Sequence, residues 1–138
     1  MKLVAGTFSV ELLPLFAVTD EDWGQVRVLV SANGFNGNIE AWLQLADLQL
    51  FRTEVQTMYD APGAIARAEL SSAEPGITLR LDMRPLGSVF GTYAFGSERP
   101  EGTPTQLSGT FECDQSYLPS LLQGIAELIH DLESLLSD

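Results

Sequence analysis

From Leu118 to Leu135, apolar residues recur at three- and four-residue intervals: Leu118, Leu121, Leu122, Ile125, Leu128, Ile129, Leu132 and Leu135. On a helix they form one stripe along about five turns. The opposite side carries Gln123, Glu127, His130, Asp131, Glu133 and Ser134. Gly124 inside this helix costs about 1 kcal/mol against alanine. A stripe of that length needs an apolar surface to cover it, and the rest of the chain must supply one. Most of that chain alternates with period two, the pattern of strands with one buried face. TFSVELL (7–13), GQVRVLVSA (24–32), IEAWL (39–43), IARAEL (65–70), ITLRLDM (77–83), SVFGTYAF (88–95) and QLSGTFECD (106–114) read this way. Between the third and fourth, Leu48, Phe51, Val55 and Met58 return to helical spacing. That predicts a helix from Leu45, with Asp47 favoured at its positive end and Pro62 and Gly63 as its stop.

The order is therefore β-β-β-α-β-β-β-β-α. Short links between neighbouring strands argue for antiparallel pairing, because parallel pairing needs a crossover. The expected class is α+β with two layers, in a single domain covering 1–138. An antiparallel sheet of about six to seven strands would carry both helices packed on one face. NGFNGN (33–38) reads as a fairly long hairpin connection, and Gly91 as a bulge or bend. GSERPEGTPT (96–105) reads as an exposed loop. Arg27, Arg67, Arg80 and Arg84 fall opposite the apolar side, so they are expected on the solvent face, paired with Glu69 and Asp82.

The chain carries nineteen acidic residues against seven basic ones, a net charge of −12. Lys2 is the one lysine, and after Arg99 no Lys or Arg occurs. Such a surface repels nucleic acid, where Lys and Arg on phosphates supply the affinity, and it repels anionic lipid. It attracts a basic partner and speeds encounter with one, or it serves solubility alone. A lone cysteine makes no internal disulfide, so nothing implies an oxidising compartment. The opening MKLVAGTFSVELLPLF is too broken for a signal peptide, and no run approaches the ~18 apolar residues of a membrane span. The expected location is cytoplasmic.

Few residues offer chemistry. His130 is the one histidine, on the polar side of the last helix, so zinc sites and most Ser-His or Cys-His schemes lack their parts. Asp20, Glu21 and Asp22 form the densest acidic cluster, without the spacing or central glycine of a calcium loop. No catalytic, cofactor-binding or metal-ligating residue is assigned. Beside the acids, Trp23 either anchors a partner or caps the core. Asp20, Glu21, Asp22 and Trp23 are thus the candidate partner-binding residues. The alternative is a small apolar ligand held in a cavity between the sheet and the last helix, lined by Phe90, Tyr93, Phe95 and Phe111. A third reading, an enzyme using paired carboxylates, requires two buried acids in one cleft.

The stretch FECDQSYLPSLL (111–122) joins the last strand to the last helix. Parity places Phe111 and Cys113 inward, so Cys113 reads as a small core residue rather than a reactive thiol flanked by two acids. Asp114 or Ser116 caps the helix. Tyr117 and Leu118 clasp it to the sheet, and Pro119 suits its first turn. This phrase, the helix entry LADLQLF and the hairpin containing NGF resemble a family of small bacterial proteins similar to WapI-like immunity proteins. The resemblance is densest over Phe111–Leu122, and the order of elements is compatible over nearly the whole chain. It implies a protein partner, a toxin domain, and supplies no catalytic residues. Within it, Asp114, Tyr117, Leu118 and Pro119 are structural. Many such toxins are nucleases and hence basic, which the acidic surface would match.

Overall fold

A computed structural model of the chain describes residues 1–17, 20–61, 66–72, 76–97 and 105–136. Eight strands and two longer helices follow in order: β1 (Lys2–Ala5), β2 (Phe8–Ala17), β3 (Trp23–Ala32), β4 (Phe35–Gln44), α1 (Leu45–Asp60), β5 (Arg67–Ser71), β6 (Ile77–Met83), β7 (Ser88–Ser97), β8 (Thr105–Asp114) and α2 (Leu118–Leu136). All pairings are antiparallel between sequence neighbours. The α+β class holds. Its strands divide into two four-stranded meanders, β1-β2-β3-β4 and β5-β6-β7-β8, one on each side of α1 in the chain.

Both sheets bury the side that alternation marks. Val10, Leu12, Val26, Val28 and Leu43 face inward from the first, and Leu70, Leu79, Leu81, Val89 and Tyr93 from the second. The helices add Leu48, Phe51, Val55 and Met58 from α1, and Leu121, Ile125, Leu128 and Leu132 from α2. All of these belong to one apolar cluster. The sheets meet at Phe8, whose ring stacks 4.4 Å from Tyr93 and 4.5 Å from Phe111. Helix α2 lies over β2 and packs against α1. It comes close because Gly24 has no side chain: a Cβ there would stand 3.2 Å from the Leu132 methyl groups.

Several boundaries differ from expectation for local physical reasons. The β3–β4 hairpin is tight. Ala32 pairs with Phe35, and the two residues between, Asn33 and Gly34, have φ of 51° and 89°. Two positive φ angles are what the Asn-Gly turn of a two-residue hairpin requires. The expected long connection is therefore mostly strand, and β4 begins at Phe35. Gly91 makes no bulge, since it stays in register opposite Phe111. Its role is space: a Cβ there would sit 2.1 Å from Phe111 Cζ, so the ring lies flat over the glycine. Gly109 lies under Tyr93 in the same way, two pairs along. The bulge is in β2 instead, between Pro14 and Phe16. Helix α1 ends at Asp60, and Pro62 and Gly63 lie outside the described residues, as does most of the 96–105 loop.

Strand β1 was not expected, because its apolar run is short and stops at Gly6. It exists through a distant partner. The Tyr117 hydroxyl donates to the Lys2 carbonyl (3.0 Å) and accepts from the Val4 N–H (3.2 Å), occupying the open edge of the first sheet. At the other extreme, the Glu54 carboxylate of α1 accepts from the Glu69 N–H on the edge strand β5 (3.0 Å). Covered edges resist pairing with other chains.

Candidate functional site

The acidic cluster lies directly before β3. Asp20–Asp22 forms a short 3₁₀ turn, in which Glu21 and Asp22 take φ of 64° and 54°. Left-handed conformations are disfavoured for side chains of this kind and persist where neighbours hold them. Here the neighbours are visible. The Gln44 side-chain amide donates to the Glu21 carbonyl (3.2 Å), and the Trp23 indole N–H donates to the Glu21 carboxylate (3.2 Å). Gln44 pairs with Trp23 across β3 and β4, and its own N–H donates to Asp47 at the start of α1 (3.0 Å). Turn, tryptophan and helix start are thereby tied into one corner of the first sheet. Glu21 and Asp22 are exposed and Trp23 is half-buried, while the Asp20 side chain lies outside the description. Sequence spacing brought these residues together. It did not reveal that Trp23 gives its one polar hydrogen to a neighbouring acid.

Trp23 also begins the outward side of β3, which continues through Gln25, Arg27, Leu29 and Ser31. Phe16 and Trp42 stand on either side of Gln25, and their rings meet edge to face at 6.3 Å. Phe16 owes its place to the bulge. Phe8, Val10 and Leu12 point inward, and unbroken alternation would send Phe16 the same way. The extra residue at Leu15 reverses the parity, so Phe16 points outward and is 55 % exposed. Bulges re-aim side chains in this manner. Leu13 and Leu15 are exposed beside it. The polar groups between are tied to one another. Arg27 donates to Asn38 (2.8 Å) and to Glu40 (3.1 Å), and Gln25 donates to the other Glu40 oxygen (3.4 Å). Further along this side, Glu11, Leu29 and Asn38 line an open depression of about 390 Å³. Residue-level reading missed this surface. The proline inside a strand pattern, at Pro14, was its one available signal.

The strand-to-helix corner is built from the expected residues in distinct roles. Asp114 accepts from the Ser116 N–H (2.9 Å), so the aspartate is the cap and Ser116 the donor. These bonds hold the Asp114 carboxyl below its ordinary pKa. Leu118 is buried, Pro119 stands exposed in the first turn of α2, and Tyr117 grips β1 through its hydroxyl. Cys113 is half-buried against the core, and burial first, then the Asp114 charge, pushes its thiol pKa up. A thiol so placed is a poor nucleophile.

Other candidates disperse. Tyr93, Phe95 and Phe111, expected along a ligand cavity, contact one another and Phe8 ring to ring. Phe90 has the opposite parity and lies outward, 4.2 Å beneath the Arg84 guanidinium. The arginines do not form one ladder. Arg67 and Arg80 share Asp82 (2.8 and 3.1 Å), Arg84 faces Glu112 (3.7 Å), and Arg27 belongs to the other sheet. His130 is exposed in an open groove of about 640 Å³ between α1 and α2, near Arg52 and Glu133. Among the described residues, no three His, Cys, Asp or Glu side chains converge as metal ligands. Among the same residues, no helix is long and apolar enough to cross a membrane.

No curated protein and no solved structure matches the chain. A family model does: that of the immunity protein WapI-like family, over residues 6–133.

Proposed function

The chain belongs to the WapI-like immunity protein family, and from that premise we propose that it is a non-enzymatic protein that neutralises a basic toxin domain by binding it. The family match covers β2 to β8, α1 and most of α2, and it carries the reading. Immunity implies a protein partner. The net charge of −12 favours a basic one, because long-range attraction raises the encounter rate with cationic surfaces and discourages acidic competitors. A cytoplasmic single domain covering 1–138 suits this role.

In this proposal Asp20, Glu21, Asp22 and Trp23 contribute to docking. Glu21 and Asp22 are exposed on a turn held by Gln44 and by the Trp23 indole. A rigid acidic corner loses little conformational freedom on binding. The test uses the toxin domain encoded beside this chain, purified as an inactive variant, with association followed on a biosensor. The expected result is binding whose association rate falls steeply with added salt. The triple reversal Asp20→Lys, Glu21→Lys and Asp22→Lys should slow association about tenfold or more in low salt, with a smaller change in dissociation. Absence of an adjoining toxin domain, or a domain that the unmodified chain fails to bind, overturns the reading.

A further inference from the structure

The outward side of the first sheet is an unusual surface for a chain this acidic. On the second sheet the corresponding side carries threonines, the Arg67–Asp82–Arg80 ion pairs and Phe90, whose ring is half-buried beneath the Arg84 guanidinium. On the first, Phe16 is 55 % exposed, with Leu13 and Leu15 at 37 % and 38 % and Trp42 half-buried against Phe16. Packing explains none of this exposure. A bulge, a device that costs the ladder a pairing, is what turns Phe16 outward. The patch is also pre-arranged: Gln25, Arg27, Asn38 and Glu40 bond to one another between the apolar groups, so a partner meets no loose polar side chains.

Charge identifies the occupant. Glu21 and Asp22 stand exposed beside Trp23 at one end of this side, Glu40 lies next to Trp42 along β4, and Glu11 lies beyond Leu13. The nearest cations on β1–β4 are Lys2, directly across from Glu11, and Arg27, already paired with Glu40. An apolar centre with an acidic rim fits a protein that presents an apolar or aromatic knob ringed by Lys and Arg. It is a poor fit for a second copy of the same side, which would oppose acid to acid.

We propose that Phe16 and Trp42, with Leu13 beside them, are the energetic centre of the docking surface for the cationic toxin domain, and that the Asp20–Asp22 turn is its steering edge. This rests on the immunity reading above and assigns the two ends of the surface different tasks. The ring pair sets how long the complex lasts, and the acidic turn sets how fast it forms.

The experiment measures the inactive toxin domain against Phe16→Ser, Trp42→Ser and the control Thr92→Ala, which sits on the outward side of the second sheet. Circular dichroism and thermal melting accompany each variant. Hydrogen exchange of the unmodified chain, with and without the toxin domain, locates the covered side without any substitution. Phe16→Ser and Trp42→Ser should each weaken binding roughly 30-fold or more through faster dissociation, the hot-spot scale. Thr92→Ala should bind as the unmodified chain does, and protection should gather on β2–β4. Unchanged affinity in both ring variants, with protection elsewhere, overturns this surface but leaves the immunity reading intact. If the unmodified chain does not bind at all, the earlier reading fails. Self-association of the unmodified chain, abolished by Phe16→Ser, would make the side a contact between copies and would overturn the proposal.

Discussion

The two sheets are alike on the inside and unlike on the outside. Each is a four-stranded antiparallel meander, and each sends alternate apolar residues into one shared core. Outwardly, the second sheet shows Thr78, Arg80, Asp82, Thr92 and Thr110, with Arg80 and Asp82 paired and Phe90 lying beneath the Arg84 guanidinium. The first shows Leu13, Phe16, Leu29 and Trp42. The inner pattern is what folding demands, since burial of apolar area drives it. The outer pattern is free of that demand, and a departure from plain polarity there points to use rather than to stability.

The inner equivalence can be broken by truncating one residue on each side. Leu12 and Leu81 are both fully buried. Leu12→Ala and Leu81→Ala should each lower stability by about 2–5 kcal/mol in urea denaturation, the usual range for a buried leucine. A much smaller loss for either would show that its sheet contributes little to the shared core. The outer contrast is sharpened with salt. Asp82→Asn removes the partner of two arginines, so its unfolding midpoint should fall in low salt and recover towards the unmodified value in 1 M salt. Phe16→Ser should cost less than about 1 kcal/mol with no such dependence, as expected of a residue that packing does not need.

The smallest effect concerns Cys113, which lies between the two regimes on β8. Its folded thiol pKa is raised, by burial first. The protonated thiol is therefore the form the fold prefers. That contribution is fully present below the ordinary thiol pKa and is lost as pH rises through the folded one. Iodoacetamide should consequently modify Cys113 more slowly than a free thiol at pH 8, and faster as the buffer is made more alkaline. Modification at the free-thiol rate would show that the strand end opens.

Much of the inner architecture was legible. ITLRLDM became β6 with the expected ends, and the apolar stripes of both helices are the buried ones, because burial of one side leaves a periodic trace. The outer surface was less legible. Pro14 breaks the alternation of β2, yet the residue count of a bulge follows only from pairing with β3. Strand β1 escaped for a similar reason: its edge is completed by Tyr117, far away in the chain. The division into two sheets also left no periodic mark. It follows from α1, which sits between two meanders that each pair only within themselves. Of the candidate binding residues, Glu21, Asp22 and Trp23 are contiguous and so were found together. Phe16 and Trp42 are joined only by the register of three strands.

The grip of Tyr117 on β1 also has a bearing on synthesis. Strand β1 is completed by a hydroxyl translated 115 residues after the Lys2 carbonyl it meets, and the leucines of α2 that cover its sheet come later still. A nascent chain must therefore hold the greasy side of the β1–β4 meander without this cover until α2 has been made. Chaperone engagement should be heaviest in that interval, and it should end abruptly when α2 emerges.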